Sequence, residues 1–99
     1  MKELLPIGSI IKIKEVEAYN FMIMGYYPII QKKSYEYMCV EYPVGLNGVE
    51  SCIGINSDVI EEVIFEGYSD ETGNAFREAI PHMLYMKKAI IEELQKREK

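Results

Sequence analysis

Between Ser34 and Tyr68 the chain contains no lysine, arginine or histidine, yet it contains seven acids. Residues 1–33 hold five lysines against three acids, and residues 69–99 balance six of each, so the net charge of −5 arises in the middle of the chain. DNA, RNA and anionic membrane surfaces all require a basic stripe that displaces counterions, and this distribution argues against them. It suits a basic protein partner, or simply a solvated acidic sheet face that keeps the protein soluble. Also missing is any run of about 18 apolar residues, the length a membrane-spanning helix requires. The opening Met1-Lys2-Glu3-Leu4-Leu5-Pro6 has no apolar core of signal-peptide length and no small-residue cleavage site. No membrane insertion is therefore expected, and the expected location is cytoplasmic.

Catalytic groups are scarce. The two cysteines, Cys39 and Cys52, lie in apolar, strand-like stretches and not at a Cys-x-x-Cys spacing, which reads as two buried free thiols in a reducing compartment. Zinc takes about four ligands, and one histidine with two thiols at these spacings does not supply them. His82 follows a proline and has no Ser, Cys or Asp at a meaningful spacing, so a surface or capping role fits it better than catalysis. Glu61 and Glu62 are adjacent, so on a regular strand they point to opposite faces and do not form one acid/base pair. Gly45 and Gly48 bound a turn, with no lysine and hydroxyl of a phosphate loop behind them. No enzyme, no cofactor and no metal site is expected.

What the chain does have is a sequence of strands. Ile11-Lys12-Ile13-Lys14 alternates after the Pro6/Gly8 turn, Phe21-Met22-Ile23-Met24 is apolar on both faces like a central strand, and Ser34 to Tyr42 is aromatic and β-branched up to Pro43. Pro43 to Gly48 is turn chemistry, Ser51 to Ile55 reads as a strand, Asn56-Ser57-Asp58 as a capped helical turn, and Glu62 to Glu66 as the last strand before Gly67. Ser69-Asp70-Glu71-Thr72 opens a helix that Pro81 should disturb, after which Met83, Met86, Ile90 and Leu94 recur at helical spacing. The expectation is one α+β domain over residues 1–99. A twisted antiparallel sheet of four to five strands, about residues 9–66, precedes a C-terminal helix or helix pair over about 70–97, broken near Pro81.

Surface chemistry then points to protein binding. Tyr35 and Tyr37 read either as an aromatic binding face or as ordinary cross-strand residues, and Met83 and Met86 either as a contact with Met22 and Met24 or as part of a groove for a client helix. The candidate partner-binding residues are Glu36, Glu61 and Glu62 of the acidic stretch, Tyr35 and Tyr37 beside them, and Leu84 and Ile91 on the helix.

The opening Leu4-Leu5-Pro6-Ile7-Gly8-Ser9, the strand ending in Tyr42-Pro43, and Val63-Ile64-Phe65-Glu66-Gly67-Tyr68 together resemble a small uncharacterised family, the domain of unknown function numbered 4176. Its members are encoded beside LXG toxins in type VII secretion loci of Gram-positive bacteria. The resemblance spans about residues 4–72, transfers no catalytic residue, and implies association with a secreted toxin before export. The expected function is thus a non-enzymatic accessory or chaperone-like factor for a type VII secretion toxin. The alternatives are an immunity protein that blocks the toxin domain, or an interaction domain of unrelated role. A small nucleic-acid-binding β-barrel has the right size and the wrong charge.

Overall fold

Alternation at Ile11-Lys12-Ile13 produces a strand with one hidden face. In the computed structural model, which describes residues 4–83, β1 (Ile10–Ile13) buries Ile11 and Ile13 and leaves Ile10 and Lys12 half exposed. β1 is flanked by β2 (Asn20–Tyr26) and β7 (Ile60–Phe65), and β2 continues to β5 (Tyr37–Tyr42) and β6 (Ile53–Ile55). The order β6-β5-β2-β1-β7 is antiparallel throughout, as expected for an α+β fold of this kind. β3 (Ile29–Ile30) and β4 (Lys33–Ser34) form a separate two-stranded hairpin directly after Pro28. Its two-residue turn puts Gln31 and Lys32 at φ of 52° and 68°, the left-handed geometry that such a tight hairpin needs.

β2 is central, and its apolar run serves two faces. The register places Ile11, Ile13, Ile23, Tyr37, Cys39 and Ile55 on one face, where all are buried, while Val40 is buried on the other beside half-exposed Met22 and Met38. Met24 is skipped between the pairs Ile23↔Cys39 and Gly25↔Met38, a one-residue bulge. The bulge resets the alternation, so that Tyr26 lands opposite Tyr37 with ring centroids 6.1 Å apart. Both hydroxyls then reach one residue. Tyr26 donates to the Leu5 carbonyl at 2.5 Å and Tyr37 accepts from the Leu5 N–H at 2.9 Å, pinning the segment ahead of β1.

The Leu-Pro-x-Gly-Ser opening and the Phe-Glu-Gly-Tyr strand end are two halves of one contact. Ser9 is fully buried, donates its hydroxyl proton to the Pro6 carbonyl (2.7 Å) and accepts from the Gly67 N–H (3.0 Å) across 58 residues of sequence. A Cβ on Gly67 would lie 2.4 Å from the Ile7 carbonyl oxygen and 2.9 Å from the Ser9 nitrogen, so only glycine permits this approach. The same turn is stitched to β2 by Gly8 N–H to Ile23 O (2.8 Å) and Ile23 N–H to Ser9 O (2.9 Å).

Between β5 and β7 the chain makes two short 3-10 turns, Val49–Ser51 and Ser57–Val59. The second sits where a capped turn was expected, but Asn56 does not cap it with its side chain. Its Oδ1 accepts instead from the Glu36 N–H (3.0 Å), and the Glu36 carboxylate takes the Ser57 N–H (2.6 Å).

Leu5–Tyr68 form one compact unit, and the described residues from Ser69 on belong to a second. The chain is helical over 71–83, here α1, and Asp70 caps it by accepting from the Gly73 N–H at 2.8 Å. Arg77 holds the entry by donating to Ser69 Oγ (2.8 Å) and to Asn74 Oδ1. α1 stays helical across Pro81 to residue 83, so the break expected there does not occur among the described residues. A proline removes a single intrahelical donor, the one that would reach the Arg77 carbonyl, and the adjoining turns carry the helix past it. The rest of the expected helical tail, with Met86, Ile90 and Leu94, lies outside the described residues.

Ser9→Ala should destabilise the fold by about 1–3 kcal/mol, because the buried Gly67 N–H loses its acceptor. Gly67→Ala should cost more than Ser9→Ala, since the backbone must separate to admit the methyl group. Urea unfolding of the two variants beside the wild type measures both, and a Gly67→Ala protein as stable as the wild type would contradict the close approach.

Candidate protein-binding edge

β7 is hydrogen-bonded to β1 on one side, and among the described residues no strand pairs with it on the other. Every residue from Glu61 to Phe65 is exposed. The pairs Ile11↔Val63, Lys12↔Glu62 and Ile10↔Phe65 fix which way these side chains go: Val63 shares the face of Ile11, and Glu62 and Phe65 share the opposite one. The register skips Glu61 and Ile64, two irregularities that add twist to the edge. Phe65 is 59% exposed, and Tyr68 at 80% and Ile7 at 53% extend the apolar surface beyond the strand end, where Ile7 lies against Gly67. The ammonium group of Lys12, which faces Glu62 across the ladder, is engaged by the Glu17 carbonyl and Asn20 Oδ1, each at 2.9 Å.

The expected site residues divide. Glu61 and Glu62 sit together on this open edge. Glu36 is held elsewhere by the Ser57 N–H, which makes its carboxylate a structural acceptor. Tyr37, with 2% of its surface exposed, belongs to the core and offers nothing to a partner; its hydroxyl is occupied by Leu5. Tyr35 is half-buried with its ring over Gly54, where a Cβ would come within 2.3 Å of the ring, and Lys33 Nζ stands 5.5 Å from the ring centroid. From the link between β4 and β5 its ring covers β6. Leu84 and Ile91 lie outside the described residues.

Two apolar features escaped the sequence reading. Val63, Ile64 and Phe65 have the composition of a buried strand and are exposed, and the loop after β5 exposes Val44, Leu46 and Val49 together with Tyr42. The Tyr42-Pro43 peptide in this loop is cis. Nothing in a local window distinguishes an edge strand from a covered one, because its composition is the same.

The strongest shift of an ionisable group lies in the core and not on this edge. Burial pushes the Cys39 thiol up from 9.0 to about 12, and Tyr37 is raised mainly by burial, with the Leu5 bond acting against it and Glu36 adding to it. Burial, then the Glu36 charge, raises Tyr27. Cys39 and Cys52 are both free thiols, Cys39 buried and Cys52 half-buried. Among the described residues no group of three or more His, Cys, Asp or Glu is placed to hold a metal, and no helix is long and apolar enough to cross a membrane.

Glu36→Ala should lower stability by about 1–2 kcal/mol through the orphaned Ser57 amide, whereas Glu61→Gln and Glu62→Gln should stay within about 0.5 kcal/mol of the wild type. Chemical denaturation of the three variants separates the structural acid from the surface acids. For Cys39, whose folded pKa exceeds its unfolded one, stability is complete below 9.0 and declines as the pH rises from there toward 12, because the unfolded chain ionises first. Melting temperatures taken on either side of pH 9.0 should therefore fall with pH in the wild type and fall less in Cys39→Ala.

A family model described as "Domain of unknown function (DUF4176)" matches residues 4–76, a span that contains the seven strands of the described residues, the Ser9–Gly67 contact and the start of α1. No curated protein and no solved structure matches the chain. The matched span covers well over half of the sequence and includes the opening motif and the glycine it packs against, so the chain belongs to the DUF4176 family.

Proposed function

We propose that this protein is a non-enzymatic, protein-binding accessory factor whose open β7 edge receives its partner. The observation that carries the proposal is the run Glu61-Glu62-Val63-Ile64-Phe65, five consecutive exposed residues of a strand that, among the described residues, is paired on one side. An edge of this kind combines backbone groups available for pairing, apolar side chains available for burial and a negative charge that selects a basic counterpart. Soluble monomers rarely leave such a combination uncovered without a use for it.

The resemblance to small proteins encoded beside LXG toxins makes a secreted type VII toxin the partner in this proposal, with the protein acting as a chaperone-like factor before export. The competing role is immunity, in which the same acidic edge occludes a basic toxic domain. The two roles predict different fragments of the partner. Co-purification with the toxin's N-terminal helical export region supports the accessory role, co-purification with its C-terminal toxic domain supports immunity, and retention of neither half removes both.

Charge on the edge should act chiefly on encounter. Glu61→Gln combined with Glu62→Gln should slow association with the retained toxin half by about tenfold at low salt, with the difference shrinking as salt is raised. Surface plasmon resonance across a salt series gives the rate directly, and superimposable rates for variant and wild type would remove the edge acids from recognition.

A further inference from the structure

Resting on the protein-binding role above, we infer that β7 binds its partner by strand addition, and that the added strand is an extended segment alternating basic and apolar residues. The pattern follows from the register. Glu62 and Phe65 project on one face of the sheet and Val63 on the other, so a strand laid along the outer side of β7 meets an acid at one position and an apolar side chain at the next. A lysine or arginine opposite Glu62 meets an exposed carboxylate, whose ladder neighbour Lys12 directs its ammonium protons to the Glu17 carbonyl and Asn20 Oδ1. An apolar residue beside it covers Val63, and the exposed surface of Phe65, Ile7 and Tyr68 extends the contact past the strand end.

A second copy of this chain suits the edge poorly. Pairing two β7 strands brings Glu61, Glu62 and Glu66 of each copy close to the same three acids of the other, with no base between Ser34 and Tyr68 to relieve them. A basic strand removes that repulsion and gains attraction. The two irregularities at Glu61 and Ile64 favour an extended, adaptable segment over a rigid sheet edge, since a twisted edge mates badly with a flat one.

The test uses the full chain and three synthetic peptides: one alternating lysine and valine, its counterpart with glutamate in place of lysine, and the lysine peptide with alternate backbone nitrogens methylated. Fluorescence polarisation measures affinity, and amide chemical shifts locate the site. The lysine peptide should bind with an affinity that weakens as salt is added, and should shift the amides of residues 61–65. The methylated peptide, with the same charge and fewer backbone donors, should bind at least about tenfold more weakly. Glu61→Lys with Glu62→Lys should abolish binding, and Val63→Glu provides a second variant that alters the apolar position without touching the acids. Equal binding of the methylated and unmethylated peptides, no preference for lysine over glutamate, or shifts confined to residues 44–49 would each overturn strand addition. So would a dimer of the peptide-free protein that Glu61→Lys with Glu62→Lys disrupts, because a second copy would then occupy the edge. A toxin's N-terminal half that still co-purifies when the peptide experiment fails leaves the accessory role standing and removes only the mode of binding.

Discussion

The hydrogen bond from the Gly67 amide to the Ser9 hydroxyl is the constraint on which the rest of the sheet unit depends. It clamps β1 and β7 just beyond their last ladder pair, Ile10↔Phe65, at the end of a ladder that is irregular at both Ile64 and Glu61. Ser9 satisfies the Pro6 carbonyl with the same hydroxyl, and its backbone oxygen pairs with Ile23, so one buried residue ties the entry turn, the central strand and the closing strand together. Leu5, held at both its N–H and its C=O by Tyr37 and Tyr26, fixes the direction from which the chain enters. Two of the three stretches that carry the family resemblance are therefore the two sides of this junction.

Much of this was legible in the chain. Alternation at Ile11-Lys12-Ile13 marked a half-buried strand, the two-sided apolar run at Phe21 to Met24 marked the centre of the sheet, and Asp70 marked the start of α1. What escaped were the consequences of contacts between distant residues. The bulge at Met24 has no local signal, yet it decides that Tyr26 turns to the face of Tyr37, which alternation with Cys39 on β5 already places in the core. Asn56 looked like the cap of its own turn, but the Glu36 carboxylate, twenty-one residues before Ser57, takes that turn's first amide and leaves Asn56 to bind the Glu36 N–H in return. Of the site, Glu61 and Glu62 were visible as charge, while the exposure of Val63 to Phe65 was not, because apolar composition reports propensity to pair and is silent on whether a second neighbour exists.

An edge that is both apolar and unpaired invites indiscriminate association. β7 carries three devices that restrain it: carboxylates on consecutive residues, irregularities in register, and a length of only six residues. In the proposed binding role each of them would also shape what the edge accepts: carboxylates would turn away acidic or identical strands, twist would turn away rigid flat ones, and short length would leave affinity to the side chains at its end. Protection against the wrong partner and selection of the right one would then fall to the same set of residues.

The position of β7 in the chain has a consequence for biosynthesis. β1, β2, β5 and β6 are linked in order and leave the ribosome able to pair with their neighbours, but the outer side of β1 waits for a strand about fifty residues downstream. Throughout that interval the nascent protein presents the β1 edge, with Ile10 and Ile11 on it, and the hydroxyl of Ser9 without its glycine amide. Closure is consequently a late event governed by loop entropy, and the newly made chain passes through a stage in which its most hazardous edge is β1 and not β7.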